Sequence, residues 1–306
     1  MAAALCLALC LLVSRVQGQA VVADGCDEFS TKSAVVASSA DALSLRQNLT
    51  RCAGAEFEVE WHGAIVISES LELSNGTSLK VTGGGHYSSV VDGDGGVPLF
   101  VVNSSTLHLE GLALTGGDGV IGGVVAARGN ASVTLTECDV FGNKASSKGG
   151  AIFLDGSTFA AARVNFTANE ASVFGGVIYA KAQSTVTTTD GTVNVFHKNE
   201  AKYGGVMFLE DKSNVIFGNG EASLTNNHAD FQGGAIYAEN YCVVKTNGKT
   251  LLEGNEAGNN GGAVFAINGT MVVATGNTSF VDNISSNYGG GFDIRGGCKH
   301  SHARRH

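Results

Sequence analysis

The residues in this chain with the means to do chemistry stand at fixed distances from recurring Gly-Gly pairs. Six positions after the first glycine of successive pairs lie Asp155, Lys181, Glu210, Glu239, Ile267 and Arg295. Carboxylates beside an amine are the raw material for acid–base work on a polysaccharide, one group taking a proton and another giving it. Four positions after the same glycine lie Phe153, Tyr179, Phe208, Tyr237 and Phe265. A stripe of exposed rings is a stacking platform for sugars or a docking patch for protein. Strand alternation puts rings and charges on one side and Ile152, Ile178, Met207, Ile236 and Val264 on the other. If the aliphatic column points inward, the face of Phe153, Tyr179, Phe208, Tyr237, Phe265, Asp155, Lys181 and Glu210 is the candidate ligand face; if the rings fill the core instead, that reading falls. Alternating charge is also what a solvated face adopts to keep like charges apart, and no known catalytic triad repeats here. The solvated-face reading leads, and no catalytic residue is assigned.

Other candidates are weaker. In "VVDGDGG" (90–96), Asp92 and Asp94 could serve Ca²⁺, but Gly96 stands where the third ligand of an EF-hand belongs. The same Asp-Gly pairs suit tight turns. "GGDGVI" (116–121) fails the calcium-binding nonapeptide because Ile121 replaces its Asp. The histidines form no column. "HSHARRH" (300–306) is a weak transition-metal binder and reads as a basic tail.

Something must hold these residues in register. Gly-Gly pairs begin at Gly122, Gly149, Gly175, Gly204, Gly233, Gly261 and Gly289, spaced by 27, 26, 29, 29, 28 and 28 residues. Each pair opens a short strand, then a polar turn, a second strand, another turn, and a third apolar run closing on an Asn. Three strands and three turns in about 28 residues make one coil of a parallel β-helix. A propeller blade needs more residues, and helical repeats need long 3.6-period runs that the Gly pairs interrupt. The crossover rule favours a right-handed coil.

Stacked coils place equivalent residues about 4.8 Å apart. Asn143, Asn169, Asn199, Asn227, Asn255 and Asn283 then form a column, and stacked Asn side chains can hydrogen-bond as a ladder. The small residue two positions on (Ala145, Ala171, Ala201, Ala229, Ala257, Ser285) leaves room at the bend. "SSADALSLRQNL" (38–49) reads as a short N-terminal capping helix, with Ser39 or Asp41 near its N-cap. No comparable cap follows the last Gly pair, so another chain or a further length of this one is expected to cover that end.

The phrase F-x-x-N-x-A-x-x-x-G-G-A-I, as in "FTANEASVFGGVI" from Phe166, resembles the polymorphic outer membrane protein (Pmp-type) repeat, in which GGA(I/V/L) and FxxN motifs alternate. Phe166, Phe196 and Phe280 match its aromatic position, Leu224 and Leu252 replace it, and Phe141 falls two residues before its Asn instead of three. The resemblance runs over about 78–298. It implies a right-handed single-stranded parallel β-helix, all-β, of the kind carried by chlamydial surface adhesins and by many microbial eukaryotic proteins.

Composition narrows the setting. The net charge is −9 with only 19 Lys and Arg in 306 residues, which excludes the basic stripes that nucleic acid requires. Residues 1–20 read as a secretory signal peptide whose apolar run is too short to span a membrane, and no later stretch is long enough. Asn48, Asn75, Asn103, Asn130, Asn165, Asn268, Asn277 and Asn283 each open an N-glycosylation triplet. Cys26 and Cys52 flank the N-terminal segment and are the natural disulfide pair. Cys242 and Cys298 fall two coils apart, too far for a disulfide.

The expected organisation is a signal peptide (1–20), a cap with the first coil (21–77), the repeats (78–298) and a basic tail (299–306). The expected function is a secreted or cell-surface protein presenting a repetitive, glycosylated surface to a carbohydrate or an extracellular protein. The alternative is a lyase, hydrolase or epimerase acting on an acidic polysaccharide.

Overall fold

A computed structural model describes residues 34–85 and 88–302. The segment expected as a signal peptide, Cys26, and residues 303–306 of the expected tail lie outside the described residues. Among the described residues the chain winds as a parallel β-solenoid of about nine turns, with one helix ahead of the first coil. Its strands assemble into four sheets of eleven, nine, nine and seven strands, and every strand pair is parallel.

One coil shows the plan. Lys144–Lys148 belongs to the seven-stranded sheet, here called the clasp. The Gly pair follows, then Ile152–Asp155 in the front sheet, Thr158–Ala162 in the eleven-stranded base sheet and Asn165–Thr167 in the back sheet. From Asp118 onward each coil therefore has four strands, while the coils before it keep the expected three. The clasp strand escapes a hydrophobicity reading because it turns only one small residue into the tube. Ala145, Ala171, Ala201, Ala229 and Ala257 are that residue, each at most 2% exposed.

Inward columns fill the tube. Ile152, Ile178, Met207, Ile236 and Val264 line it from the front, and Phe159, Val186, Val215 and Val244 from the base. On the back sheet Phe166 and Phe196 stack at 4.9 Å between ring centroids. Where the aromatic slips by one residue the face inverts. Val140 takes the inward place and Phe141 turns out to solvent, 37% exposed.

The Gly pair makes the turn from clasp to front. Gly149 has φ +65°, and a Cβ there would lie 2.1 Å from the carbonyl oxygen of Ile152. A Cβ on Gly150 would lie 2.1 Å from the carbonyl oxygen of Gly176 in the next coil. Nothing larger than glycine fits either place, which is why the phrase repeats.

At one level the tube widens. Ala161 pairs with Thr188 and Asn165 with Val195, so the base-to-back corner gains three residues between these coils. Buried Asn194 closes the step. Its Oδ1 accepts from the Val164 amide at 3.1 Å, and its Nδ2 donates to Thr192 Oγ1 at 3.1 Å.

The helix spans Ser39–Arg51 and is capped one residue earlier than expected, by Ser38. Ser38 Oγ accepts from the Asp41 amide, and Asp41 accepts in return from the Ala37 amide. This reciprocal pair satisfies donors that a helix start leaves open. Ala42, Leu45 and Leu49 pack over the first coil. Winding begins at Glu56, inside the segment expected to hold the cap and the first coil, and Lys299–His302 pairs with Met271–Ala274, so strand register continues into the segment expected as tail.

Candidate functional site

The asparagine column runs along the turn from back to clasp, and five of its six members, Asn143 to Asn255, are fully bonded. Nδ2 of Asn143, Asn169, Asn199, Asn227 and Asn255 each donates to Oδ1 of the next asparagine at 2.8–3.1 Å. The second hydrogen goes to a carbonyl in the preceding coil. Asn199 reaches Phe166, the partner of its own Phe196, which accounts for the FxxN spacing. With donors and acceptors spent inside the wall, these amides hold coils together and have nothing left for a ligand.

The aromatic column does point away from the tube, but it is not a platform. Phe153, Tyr179, Phe208, Tyr237 and Phe265 form a second buried cluster, each no more than 8% exposed. Successive centroids are 5.5, 5.5, 4.6 and 5.2 Å apart. The clasp folds back at the Gly pairs and covers the rings with Phe174 and Tyr203. Arg128 stands over Phe153 at 5.5 Å and Arg295 over Phe265 at 5.6 Å, so guanidinium groups close both ends. The expected open stacking surface is thus an interior seam. Alternation identifies the side a ring takes and says nothing of a layer laid over it.

The charged column is tied into the same seam. Asp155 and Lys181 pair at 3.0 Å, each about one-third exposed. Lys148 Nζ donates to Tyr179 Oη at 2.7 Å, and Tyr179 Oη donates to Glu210. Tyr237 Oη donates to Glu239 Oε2 at 3.1 Å. Burial first, and then the nearby carboxylates, push both tyrosine hydroxyls well above the ordinary range. They stay protonated as donors and are poor bases. Burial raises the Glu239 carboxyl, the Tyr237 hydrogen bond opposes this, and the charges of Glu210 and Asp211 add to the rise. The geometry links Lys148, Tyr179 and Glu210 into a latch between clasp and front sheet.

At "VVDGDGG", Asp92 Oδ1 accepts from the Asp94 amide at 2.9 Å, and Asp94 has φ +50°, the geometry of a tight turn. Among the described residues no group of three or more His, Cys, Asp or Glu side chains is arranged to hold a metal.

The repeat that builds ladder, glycine turn and seam is one found in known proteins. The family model of the Chlamydia polymorphic membrane protein repeat matches residues 137–155 and 221–239. The chain carries Pmp-type repeats. Each match runs from the back strand through the ladder asparagine and the Gly pair to the outward charge of the front strand, Asp155 or Glu239. No curated protein and no solved structure matches the chain.

The Pmp-type coil also explains a column that reading for glycosylation and disulfides passed over. At the front-to-base corner Thr77, Ser105, Ser157, Ser184, Cys242 and Thr270 each turn a buried hydroxyl or thiol back onto a carbonyl two or three residues earlier. The signal was in view, since Ser184, Ser213, Cys242, Thr270 and Cys298 all fall nine residues after a Gly pair begins. Cys138, Cys242 and Cys298 are free thiols, and burial pushes Cys138 and Cys242 up to about 12. Cys52 is disulfide-bonded.

The glycosylation triplets divide by position. Asn75, Asn103, Asn130 and Asn268 are exposed along that same front-to-base corner. Asn277 is exposed at the base-to-back corner, and Asn165 faces out from the back sheet. Asn48 and Asn283 do not fit the expectation. Asn48 is 4% exposed on the buried face of the helix, and the Asn283 amide is spent on Asn255 and the Leu252 carbonyl.

Proposed function

We propose that this chain is a surface-displayed β-solenoid protein that carries glycans along one corner and offers its other faces for adhesion or for carbohydrate and matrix contact. The repeat and the solenoid fit a surface-displayed protein. The observation that carries the finer reading is the alignment of Asn75, Asn103, Asn130 and Asn268 on a single exposed corner. Glycans placed there stand clear of the ladder and of the seam.

The test is expression of the full chain in secreting eukaryotic cells, followed by surface biotinylation and glycopeptide mapping. Display at the surface with glycans on the four corner asparagines is the expected result. Retention inside the cell, or a chain without glycans, sinks the reading.

One observation favours a second reading, an enzyme acting on an acidic polysaccharide. Glu210 and Glu239 directly follow adjacent front strands, with Lys148, Tyr179, Lys181 and Asp155 nearby. Turnover of pectic or alginate polymers, with or without Ca²⁺, that is lost in Asp155→Ala would establish it. The buried rings and the proton-holding tyrosines weigh against it.

A further inference from the structure

The back sheet carries a cleft that the repeat itself does not require. It has a volume of about 560 Å³ and is lined by Asp139, Phe141, Asn165, Thr167, Val195 and His197. That is within the roughly 300–1,000 Å³ typical of small-ligand sites. It lies where the tube widens, between the coil with the short base-to-back corner and the coil with three more residues.

Two rows of outward side chains form its floor. Asp139, Asn165 and Val195 are register partners in one row, and Phe141, Thr167 and His197 in the other. Phe141 is the one aromatic of the FxxN set displaced by a residue, and the displacement puts its ring outside. The polar groups around it are already oriented. Asn165 Nδ2 donates to Asp139 Oδ1 at 2.8 Å, and His197 Nδ1 shares a 2.9 Å hydrogen bond with Thr225 Oγ1. A flat apolar ring ringed by a carboxylate, an amide, a hydroxyl and an imidazole matches a pyranose, which has one apolar face and a rim of hydroxyls. The Asp139 carboxylate on the floor selects against an anionic sugar.

We propose that this cleft seats a neutral pyranose ring face-down on Phe141, with its hydroxyls on Asp139 and His197 and, for a free saccharide, on Asn165 as well. The sugar has two potential sources, a free saccharide or the first residue of a glycan on Asn165, whose triplet closes with Thr167 in the cleft itself. The proposal deepens the carbohydrate-contact reading above, and its first test does not depend on secretion.

In the first arm the full chain is made in bacteria, without glycans, and titrated by calorimetry with maltotriose, cellotriose, chitotriose and polygalacturonate. Binding of a neutral trisaccharide, weakened about tenfold or more in Phe141→Ala, establishes a free ligand. In the second arm the chain is made in secreting cells, and Asn165 occupancy is mapped. Nuclear Overhauser contacts between the first sugar and the Phe141 ring, absent in Thr167→Val, establish the tethered source. Phe141 and Thr167 are surface residues, and matching circular dichroism of the variants shows that the coil is retained. No neutral saccharide bound in the first arm, together with no sugar–Phe141 contact in the second, overturns the proposal. So does polygalacturonate bound in preference to the neutral trisaccharides. Saccharide binding by bacterial protein from a chain that fails to reach the cell surface would leave this site standing and remove the display reading alone.

Discussion

Replacing Asn199 with alanine tests the coil-to-coil bonding most directly. Asn199 is fully buried mid-ladder. Its Oδ1 accepts from the Asn169 amide at 3.0 Å and from Asn169 Nδ2 at 3.1 Å. Its Nδ2 donates to the Phe166 carbonyl at 3.1 Å and to Asn227 Oδ1 at 3.0 Å. In Asn199→Ala the Asn169 amide, one Asn169 side-chain hydrogen and the Phe166 carbonyl lose partners in a wall closed to water. Asn227 Oδ1 keeps the Asn199 backbone donor. Each buried orphan costs about 1–3 kcal/mol, and partial relaxation brings the sum to about 3–5 kcal/mol. That is a large share of the roughly 5–15 kcal/mol that holds a folded domain together. The assay is urea unfolding followed by circular dichroism, with hydrogen exchange at the Asn169 amide as the local probe. Asn199→Ala should lower the unfolding midpoint and sharply accelerate that exchange, while Asn277→Ala at an exposed corner leaves both unchanged. A loss under about 0.5 kcal/mol, the range of ordinary surface substitutions, with protection retained at Asn169, would refute the account of the ladder.

Other outcomes follow from the same geometry. Gly176→Ala places a Cβ 2.2 Å from the Gly205 carbonyl oxygen and 2.6 Å from that of Glu200, with only backbone to yield. It should cost about 3 kcal/mol or more, read as lost soluble yield, against about 1–2 kcal/mol for Gly191→Ala, whose φ is +70° but whose surroundings are open. Burial raises the folded Glu239 carboxyl, so the folded chain holds that proton more tightly than the unfolded one. Stability should therefore fall as pH rises from the ordinary carboxylate value through the raised one. The change in urea midpoint between about pH 4 and about pH 7 should shrink in Glu239→Gln. Iodoacetamide should label Cys298 in the native protein and reach buried Cys138 and Cys242 only on unfolding, as peptide mapping would show.

Much of this architecture was legible before any coordinates. The 28-residue period, the asparagine column and the aliphatic column rest on spacing alone, because a solenoid repeats its environment each time the chain repeats its distance. The capping helix showed in "SSADALSLRQNL" through its polar start and apolar stripe. The clasp did not show. "KASSK" and "EASVF" have no alternating apolar face, since their strand order comes from backbone bonds to neighbouring coils and one buried alanine each.

The candidate site was legible in membership and not in meaning. Phe153, Tyr179, Phe208, Tyr237 and Phe265 share a face with Asp155, Lys181 and Glu210, as alternation requires. Whether that face meets water depends on a strand that turns back over it, and no pairing rule within the front sheet contains that information. The same holds for the asparagine triplets. An identical three-residue motif is open at Asn75, buried at Asn48 and consumed by the ladder at Asn283. The amino-acid order by itself determined the winding and which residues of each strand share a face. Only the tertiary structure decided which outward sides are covered by a second layer and that a three-residue widening leaves a cleft beside Phe141, because burial is set by chain segments distant in sequence.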